Sequence, residues 1–262
     1  MRIAIVKLSS LGDIVHAMVV LQFIKKYNKE ILIDWFVEES YKELLEFHPD
    51  IDKVHIVKIK KAKQNKSLPL LFKELNKLRK LKYYDLVIDM QGLIKSAIIS
   101  KLIPSKNTLG FDKFSIRERL ASSFYDLHFN IGYDQNIIKR NFELVKFATN
   151  LPFKINEINK KNPFIYSKQE FSNGNLSKTK KNILLIPGAS NISKRYPPNC
   201  YAQITYLLIA NYLILWGTPK EKSIAKEIKK LAPDVSICSK LSLSKLVSLI
   251  SKVDLVIGSD TG

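Results

Sequence analysis

The chain has 262 residues, 46% hydrophobic and 26% charged, with 43 Lys+Arg against 24 Asp+Glu and a formal net charge of +19. This composition excludes a disordered chain and supplies ample length for one large core or two ordinary ones. Two cysteines, Cys200 and Cys238, exclude a disulfide scaffold, and no run of about 18 uninterrupted apolar residues predicts a transmembrane helix.

In chain order, residues 2–6 read as a buried strand, 9–12 as a turn and 13–27 as a helix. The first 24 residues are apolar enough to resemble a signal peptide, but Lys7 and Asp13 interrupt them and no small-residue cleavage site follows. A strand over 31–37, a short helix over 41–47 and a strand over 54–57 come next. A helix over 68–81, a strand over 86–89 and helices over 93–102 and 137–149 complete the first unit. Residues 151–180, rich in Asn, Lys and Ser, contain the linker. A second series alternates strands over 182–186, 212–216, 235–238 and 255–257 with helices over 201–210, 221–231 and 243–251. Strands alternating with helical patterns predict βα units and parallel sheets. The organisation expected is an N-terminal Rossmann-like domain over 1–155, a linker over 156–179 and a second Rossmann-like domain over 180–262, facing a cleft. Ligands in such sheets bind at the carboxyl ends of strands, so the loops after strands carry the chemistry.

The net charge points to a polyanionic partner: a nucleic acid, an acidic membrane surface or a phosphorylated substrate. Only six of the basic residues are Arg and 37 are Lys, a skew that A+T-rich coding produces as well. Such a surface favours diffuse charge over bidentate phosphate contacts. The basic runs lack interleaved Arg and aromatic residues, which argues against nucleic acid.

Four loops stand out. In the first, Lys7 to His16, Gly12 gives the backbone room to turn or to approach a ligand. Asp13 stands near a helix start, where it serves as a cap or as a general base. The second, Pro187 to Pro197, follows a strand with small residues and hydroxyls, and its Lys194 and Arg195 can neutralise phosphate. It is either a phosphate loop or an ordinary basic loop, and it lacks the P-loop pattern. The third, Trp216 to Glu221, offers Glu221 to ribose hydroxyls or to the helix dipole. The fourth, Gly258 to Gly262, supplies small residues at a strand end. Asp50-Ile51-Asp52 matches the short D-x-D pattern of metal-dependent glycosyltransferases but lies away from the phosphate loop.

Taken together, the segment from Lys7 to His16, Phe36-Val37-Glu38-Glu39, Asp89-Met90-Gln91-Gly92-Leu93-Ile94-Lys95-Ser96, Arg117-Glu118, Lys194-Arg195-Tyr196-Pro197, Trp216-Gly217-Thr218-Pro219 and Asp260-Thr261-Gly262 resemble the lipopolysaccharide heptosyltransferase I family. The likeness spans the chain, and Gln91-Gly92-Leu93 favours this branch over the one that adds a second heptose. The resemblance implies a GT-B fold and transfer of L-glycero-D-manno-heptose from ADP-heptose to the first Kdo of Kdo2-lipid A, inverting and without metal or cofactor. It implies a peripheral enzyme on the cytoplasmic face of the inner membrane, with ADP-heptose, Kdo2-lipid A and an anionic membrane surface as partners and no nucleic acid.

By the same resemblance Asp13 is the catalytic base, and Ser190, Lys194, Glu221, Asp260, Thr261 and Gly262 bind the donor. Ala189 stands where the family has a hydroxyl. Ser10, Gly12 and Arg117, with the lysine run that includes Lys60, Lys61 and Lys63, are the candidates for holding the acceptor. Family members continue past Asp-Thr-Gly, so the second domain is expected to break off at Gly262. The alternatives are a related glycosyltransferase with another nucleotide sugar or acceptor, such as heptosyltransferase II, or an inactive C-terminally truncated form.

Overall fold

The computed structural model describes residues 1–59, 65–172, 175–189 and 191–259. It divides into two units, Met1–Ile165 and Tyr166–Gly262. In the first, β1 (Arg2–Val6), β2 (Leu32–Glu38), β3 (Lys53–Val57), β4 (Tyr84–Asp89), β5 (Ser105–Phe111) and β6 (Leu127–Phe129) form a sheet in the order β3-β2-β1-β4-β5-β6. Every neighbouring pair is parallel. Helices α1 (Leu11–Tyr27), α2 (Leu68–Arg79), α3 (Ile94–Leu102) and α4 (Ile137–Thr149) accompany it. The central strands are near-continuous apolar runs because both of their faces are covered. On one face Ala4, Val6, Phe36, Val87, Leu78 and Ile99 form a buried cluster. Elsewhere Phe23 of α1 meets Phe142 of α4 edge-on at 5.2 Å, and Phe142 lies 5.1 Å from Phe153.

In the second unit β7 (Asn182–Ile186), β8 (Asn211–Ile214), β9 (Ser236–Ile237) and β10 (Leu255–Gly258) form a parallel sheet in the order β10-β7-β8-β9. Helices α5 (Pro198–Leu207), α6 (Pro219–Leu231) and α7 (Leu243–Ile250) accompany it. Tyr201, Ile214, Ala225 and Ile228 centre its core.

Several elements differ from the sequence expectation. β5 and β6 lie between the helices expected over 93–102 and 137–149, a stretch to which the sequence assigns no element. Lys106-Asn107-Thr108 breaks the apolar pattern of β5, and the buried Thr108 is satisfied instead by Asp126, which accepts from its hydroxyl and its backbone N–H at 2.8 Å each. The short helix expected over 41–47 is a 3-10 turn, Glu39–Leu44. The helix expected over 201–210 starts at Pro198 and ends at Leu207, since Pro suits a first helical position. The linker segment is tied down at both ends. Glu157 accepts from Tyr27 Oη at 2.6 Å and pairs with Lys26, whereas Phe171 is buried in the second unit with its N–H on Ser248 Oγ at 2.9 Å.

Candidate functional site

The order of the first sheet reverses between β1 and β4, and a crevice opens where two neighbouring strands send their connections to opposite faces. The loops after these strands, with the start of α1, line a cavity of about 300 Å³. Its walls include Lys7, Ser10, Asp13, Gln91, Arg117 and Arg140. Asp13 is the third residue of α1. Its Oδ2 accepts from the Ser10 backbone N–H at 3.2 Å and from the Ser10 hydroxyl at 2.9 Å. The side chain thus closes the helix start and still faces the cavity.

Gly12 does not make the expected turn. Helix α1 begins at Leu11, so Gly12 is already helical, and residues 7–10 alone connect it to β1. Gly92, in the facing loop, is the glycine with a positive φ among the described residues, +69°, and a Cβ there would also meet Ile116 Cγ2 at 2.8 Å. His16 lies outside the cavity wall.

Two further cations, Lys7 and Arg140, join Arg117 at the cavity. Lys7 is 4% exposed and donates to the Met90 carbonyl at 3.1 Å. Burial pulls its pKa below the ordinary lysine value, the Asp13 and Asp89 carboxylates work against that fall, and Arg140 adds to it. Arg140, on α4, donates to the Ser115 carbonyl, and its guanidinium lies over the rings of Phe111 at 4.7 Å and Tyr133 at 4.9 Å. Nothing in their sequence spacing signals that residues 7, 117 and 140 meet.

Gln91 holds the Asp13 loop in place. Its Oε1 accepts from Leu8 N at 2.8 Å and Ser9 N at 3.3 Å, and its Nε2 donates to Ser9 Oγ at 3.3 Å. Gln91 is itself fixed by Asp89, whose Oδ1 accepts from Gln91 N at 2.8 Å and Gly92 N at 3.1 Å while Oδ2 accepts from Tyr125 Oη at 2.8 Å. Burial raises the Asp89 pKa against these bonds. Replacing Gln91 by Ala strands two loop amides, which costs about 1–3 kcal/mol and loosens the segment that places Asp13. The expected result is a fall in kcat of about 10- to 100-fold with donor affinity unchanged. Steady-state kinetics with donor titration measures both, and a kcat within twofold of the parent counts against the clamp.

In the second unit the loops after β7, β8 and β10 converge, and its sheet order reverses between β7 and β10. Glu221 Oε2 accepts from Gly217 N at 2.7 Å and Thr218 N at 2.9 Å, and Thr218 Oγ1 accepts from Glu221 N at 3.3 Å, a reciprocal cap on α6. A Cβ on Gly188 would fall 2.7 Å from Glu221 Oε1, so a larger residue there would displace the Glu221 carboxylate from its present position. Ser259 Oγ accepts from Tyr196 N at 3.3 Å and lies 3.1 Å from Tyr201 Oη, while Arg195 Nε donates to the Ala189 carbonyl at 2.9 Å. Lys194 is exposed on the 3-10 turn Ile192–Lys194 of this loop.

The structure therefore brings Asp13, Ser10 and Arg117 to one cavity, and Lys194 and Glu221 to the loop cluster of the second unit. Ser190, Asp260, Thr261 and Gly262, and Lys60, Lys61 and Lys63, lie outside the described residues. Within the same lysine run Lys58 Nζ pairs with Glu39 at 2.9 Å. The Asp50-Ile51-Asp52 pattern is spent on structure, since Asp52 Oδ2 accepts from Ile33 N at 2.7 Å and Lys25 Nζ at 3.4 Å.

Residues 72–262 match the sequence profile of glycosyltransferase family 9 (heptosyltransferase). The chain belongs to this family. Among family 9 relatives, lipopolysaccharide heptosyltransferase 1 of Campylobacter coli is 38% identical across the whole chain, which covers 79% of that protein. The enzyme of the same name from Escherichia coli K12 is 27% identical, with 82% of it covered. The solved structure of E. coli heptosyltransferase WaaC with ADP superposes over the full chain with a TM-score of 0.84 at 25% identity, covering 82% of that structure. E. coli ADP-heptose heptosyltransferase II gives 0.72 at 17% identity, covering 80%, which bears on the fold alone. The α/β architecture with two parallel sheets is thus the GT-B type, and the family 9 chain is a glycosyltransferase. Among the described residues no helix is long and apolar enough to cross a membrane.

Proposed function

We propose that this chain transfers L-glycero-D-manno-heptose from ADP-heptose to the first Kdo of Kdo2-lipid A, inverting the anomeric centre, at the cytoplasmic face of an anionic inner membrane. The observation that carries the reading is the cavity at the β1–β4 switch point, where a carboxylate faces a space lined by three cations. A Kdo residue presents a hydroxyl beside a carboxylate. Arg117, Arg140 and Lys7 suit the carboxylate, and Asp13 suits the hydroxyl. The relatives named lipopolysaccharide heptosyltransferase 1, and the WaaC structure with ADP-2-deoxy-2-fluoro heptose, support the donor class.

An inverting transfer forms the new bond as the old one to the diphosphate breaks, through an oxocarbenium-like state. One base must take the proton of the attacking hydroxyl, and Asp13 is assigned that step. The leaving group is ADP, which requires charge stabilisation more than protonation. Lys194, with Arg195 and the backbone amides of the 187–197 loop, supplies it without a metal in this reading. Ser190, Glu221, Asp260, Thr261 and Gly262 complete the donor site. Lys60, Lys61 and Lys63, with Ser10 and Arg117, hold the acceptor, and Gly12 lies in the helix start beneath it.

The direct test is mass spectrometry of Kdo2-lipid A after incubation with ADP-heptose. A gain of one heptose is expected, and no gain on this acceptor alongside gain on an acceptor that already carries one heptose assigns the chain to the heptosyltransferase II reaction instead. Removal of the Lys194 ammonium is expected to weaken ADP-heptose binding about tenfold and to slow turnover as well. Calorimetry on Lys194→Ala checks the first effect, and unchanged donor affinity removes Lys194 from the phosphate site.

A further inference from the structure

Helix α5 ends in a run of large apolar residues that the fold leaves in solvent. Tyr206, Leu207, Leu208 and Ile209 are 72%, 77%, 52% and 92% exposed. A turn joining a helix to a strand is ordinarily polar, and scattered single apolar residues need no explanation, but four in succession form a patch. The patch is built rather than frayed. Tyr206 Oη donates to the Leu231 carbonyl at 2.8 Å, and Tyr212 Oη bonds the Ile204 and Leu208 carbonyls at 3.2 and 3.1 Å. Below it lies an open groove of about 590 Å³ at the amino end of the second sheet.

The surroundings are basic. Lys180 lines the groove, Lys178 is two residues away in sequence, and Lys229 and Lys230 close the last turn of α6 beside Leu231. Lys229 Nζ donates to the Val235 carbonyl at 2.8 Å, a neutral partner that leaves its charge in place. None of these four lysines forms an ion pair among the described residues. Asp234 is the acidic residue on the groove wall.

We propose that this tip is a membrane-docking surface for an anionic bilayer. Leu207, Leu208 and Ile209 enter the boundary between headgroups and acyl chains, the Tyr206 ring sits at headgroup level, and Lys178, Lys180, Lys229 and Lys230 meet lipid phosphates. An apolar wedge ringed by lysines matches that environment in both of its parts. A second copy of the chain does not, because a two-fold contact sets the patch against itself and brings the lysine rings face to face. A nucleic acid accounts for the lysines and not for the aliphatic side chains. The surface lies on a different unit from the lysine run at 58–66, and docking involves no step of the transfer reaction. It rests on the membrane-face reading above only for the choice of lipid.

The test is flotation of the purified chain with vesicles of phosphatidylethanolamine containing about 30% phosphatidylglycerol, against phosphatidylcholine vesicles, at ~0.05 and ~0.5 M salt. The parent is expected to float with the anionic vesicles. Leu207→Ser/Ile209→Ser is expected to lower the bound fraction at least about fivefold at both salt concentrations. Lys180→Glu/Lys230→Glu is expected to lower it only at low salt, and both variants should keep the parent's melting temperature. Binding of the apolar double variant equal to the parent's overturns this surface while leaving the membrane-face reading intact, whereas a parent that binds no vesicles overturns both. Two further results also overturn it: sedimentation showing that the apolar variant converts a dimer to a monomer, or duplex DNA binding that needs the lysines and ignores Leu207 and Ile209.

Discussion

Asp13→Asn is expected to lower kcat by about 10²- to 10⁴-fold, the usual contribution of a positioned general base, while ADP affinity stays within about threefold because the donor site is built from other loops. The substitution separates two roles that the geometry superimposes. The carboxylate closes the start of α1 through the Ser10 N–H and hydroxyl, and it faces the cavity that Lys7, Arg117 and Arg140 line. Asn keeps the size and an oxygen that can accept from Ser10, so the cap survives in large part, but it cannot take a proton from a hydroxyl. A base assignment therefore predicts a catalytic loss with little change in melting temperature. A cap-only role predicts the reverse, a small drop in melting temperature with turnover kept. Rapid-quench single-turnover measurement with saturating ADP-heptose isolates the chemical step from product release, and near-parent rates there would falsify the base role. Asp13→Ala sharpens the comparison, since it removes cap and base together and should add a loss of about 1 kcal/mol in stability to the same catalytic loss.

What the sequence made legible follows from what is local. Apolar runs such as Arg2–Val6 and Tyr84–Asp89 announce buried parallel strands, and Asp13 stands out because it opens a helix directly after the first of them. Strands that carry polar residues inward are hidden. Thr108 of β5 is buried only because Asp126 of a later turn satisfies it, and no pattern within residues 105–111 encodes that partner. The same holds at the cavity. Lys7, Gln91 and Arg140 are drawn together by the reversal of strand order between β1 and β4 and by the packing of α4 against α1. The residues that tune the site are therefore a property of topology. Family resemblance flagged Gln91 within a segment, but its two bonds to loop amides explain why an amide side chain is wanted there. Glu221 shows the converse. The two roles offered by the sequence, a ribose ligand and an acid matched to the helix dipole, draw on one carboxylate, and the structure adds a third, a cap made by Oε2 while Oε1 lies toward Gly188.

Replacement of Asp34 is expected to produce the largest loss of stability in the first unit, about 3–5 kcal/mol, because it breaks a buried charged network by removing its centre. Asp34 Oδ2 accepts from Arg2 Nη2 at 2.7 Å and Tyr84 Oη at 2.6 Å, with His55 Nε2 at 3.0 Å, so three strands are cross-linked to β2 through one carboxylate. His55 stacks on Phe36 with ring centroids 4.5 Å apart, and the cluster passes directly into the apolar core. Burial alone would raise the Asp34 pKa, but the hydrogen bonds from His55, Tyr84 and Arg2 outweigh it and hold the pKa at about 2.

A carboxylate whose folded pKa is depressed contributes stability above its unfolded value near 3.9 and loses it as pH falls toward about 2, which here amounts to about 2–3 kcal/mol. The stability gap between parent and Asp34→Ala should therefore be widest above about pH 5 and should narrow as the pH falls toward about 2. Urea unfolding read by Trp35 fluorescence in a Trp216→Phe background reports on this unit alone, since these are the chain's two tryptophans. A gap below about 1 kcal/mol at neutral pH, or one that stays constant down to about pH 2.5, shows that the network is compensated elsewhere. Asp34 lies in the amino-terminal half of β2, paired in register with Ala4, whereas Asp13 follows the carboxyl end of β1. The kcat of the Asp34→Ala variant should consequently match the parent's at temperatures where it remains folded, so the two substitutions divide the unit into a stabilising end and a reacting end.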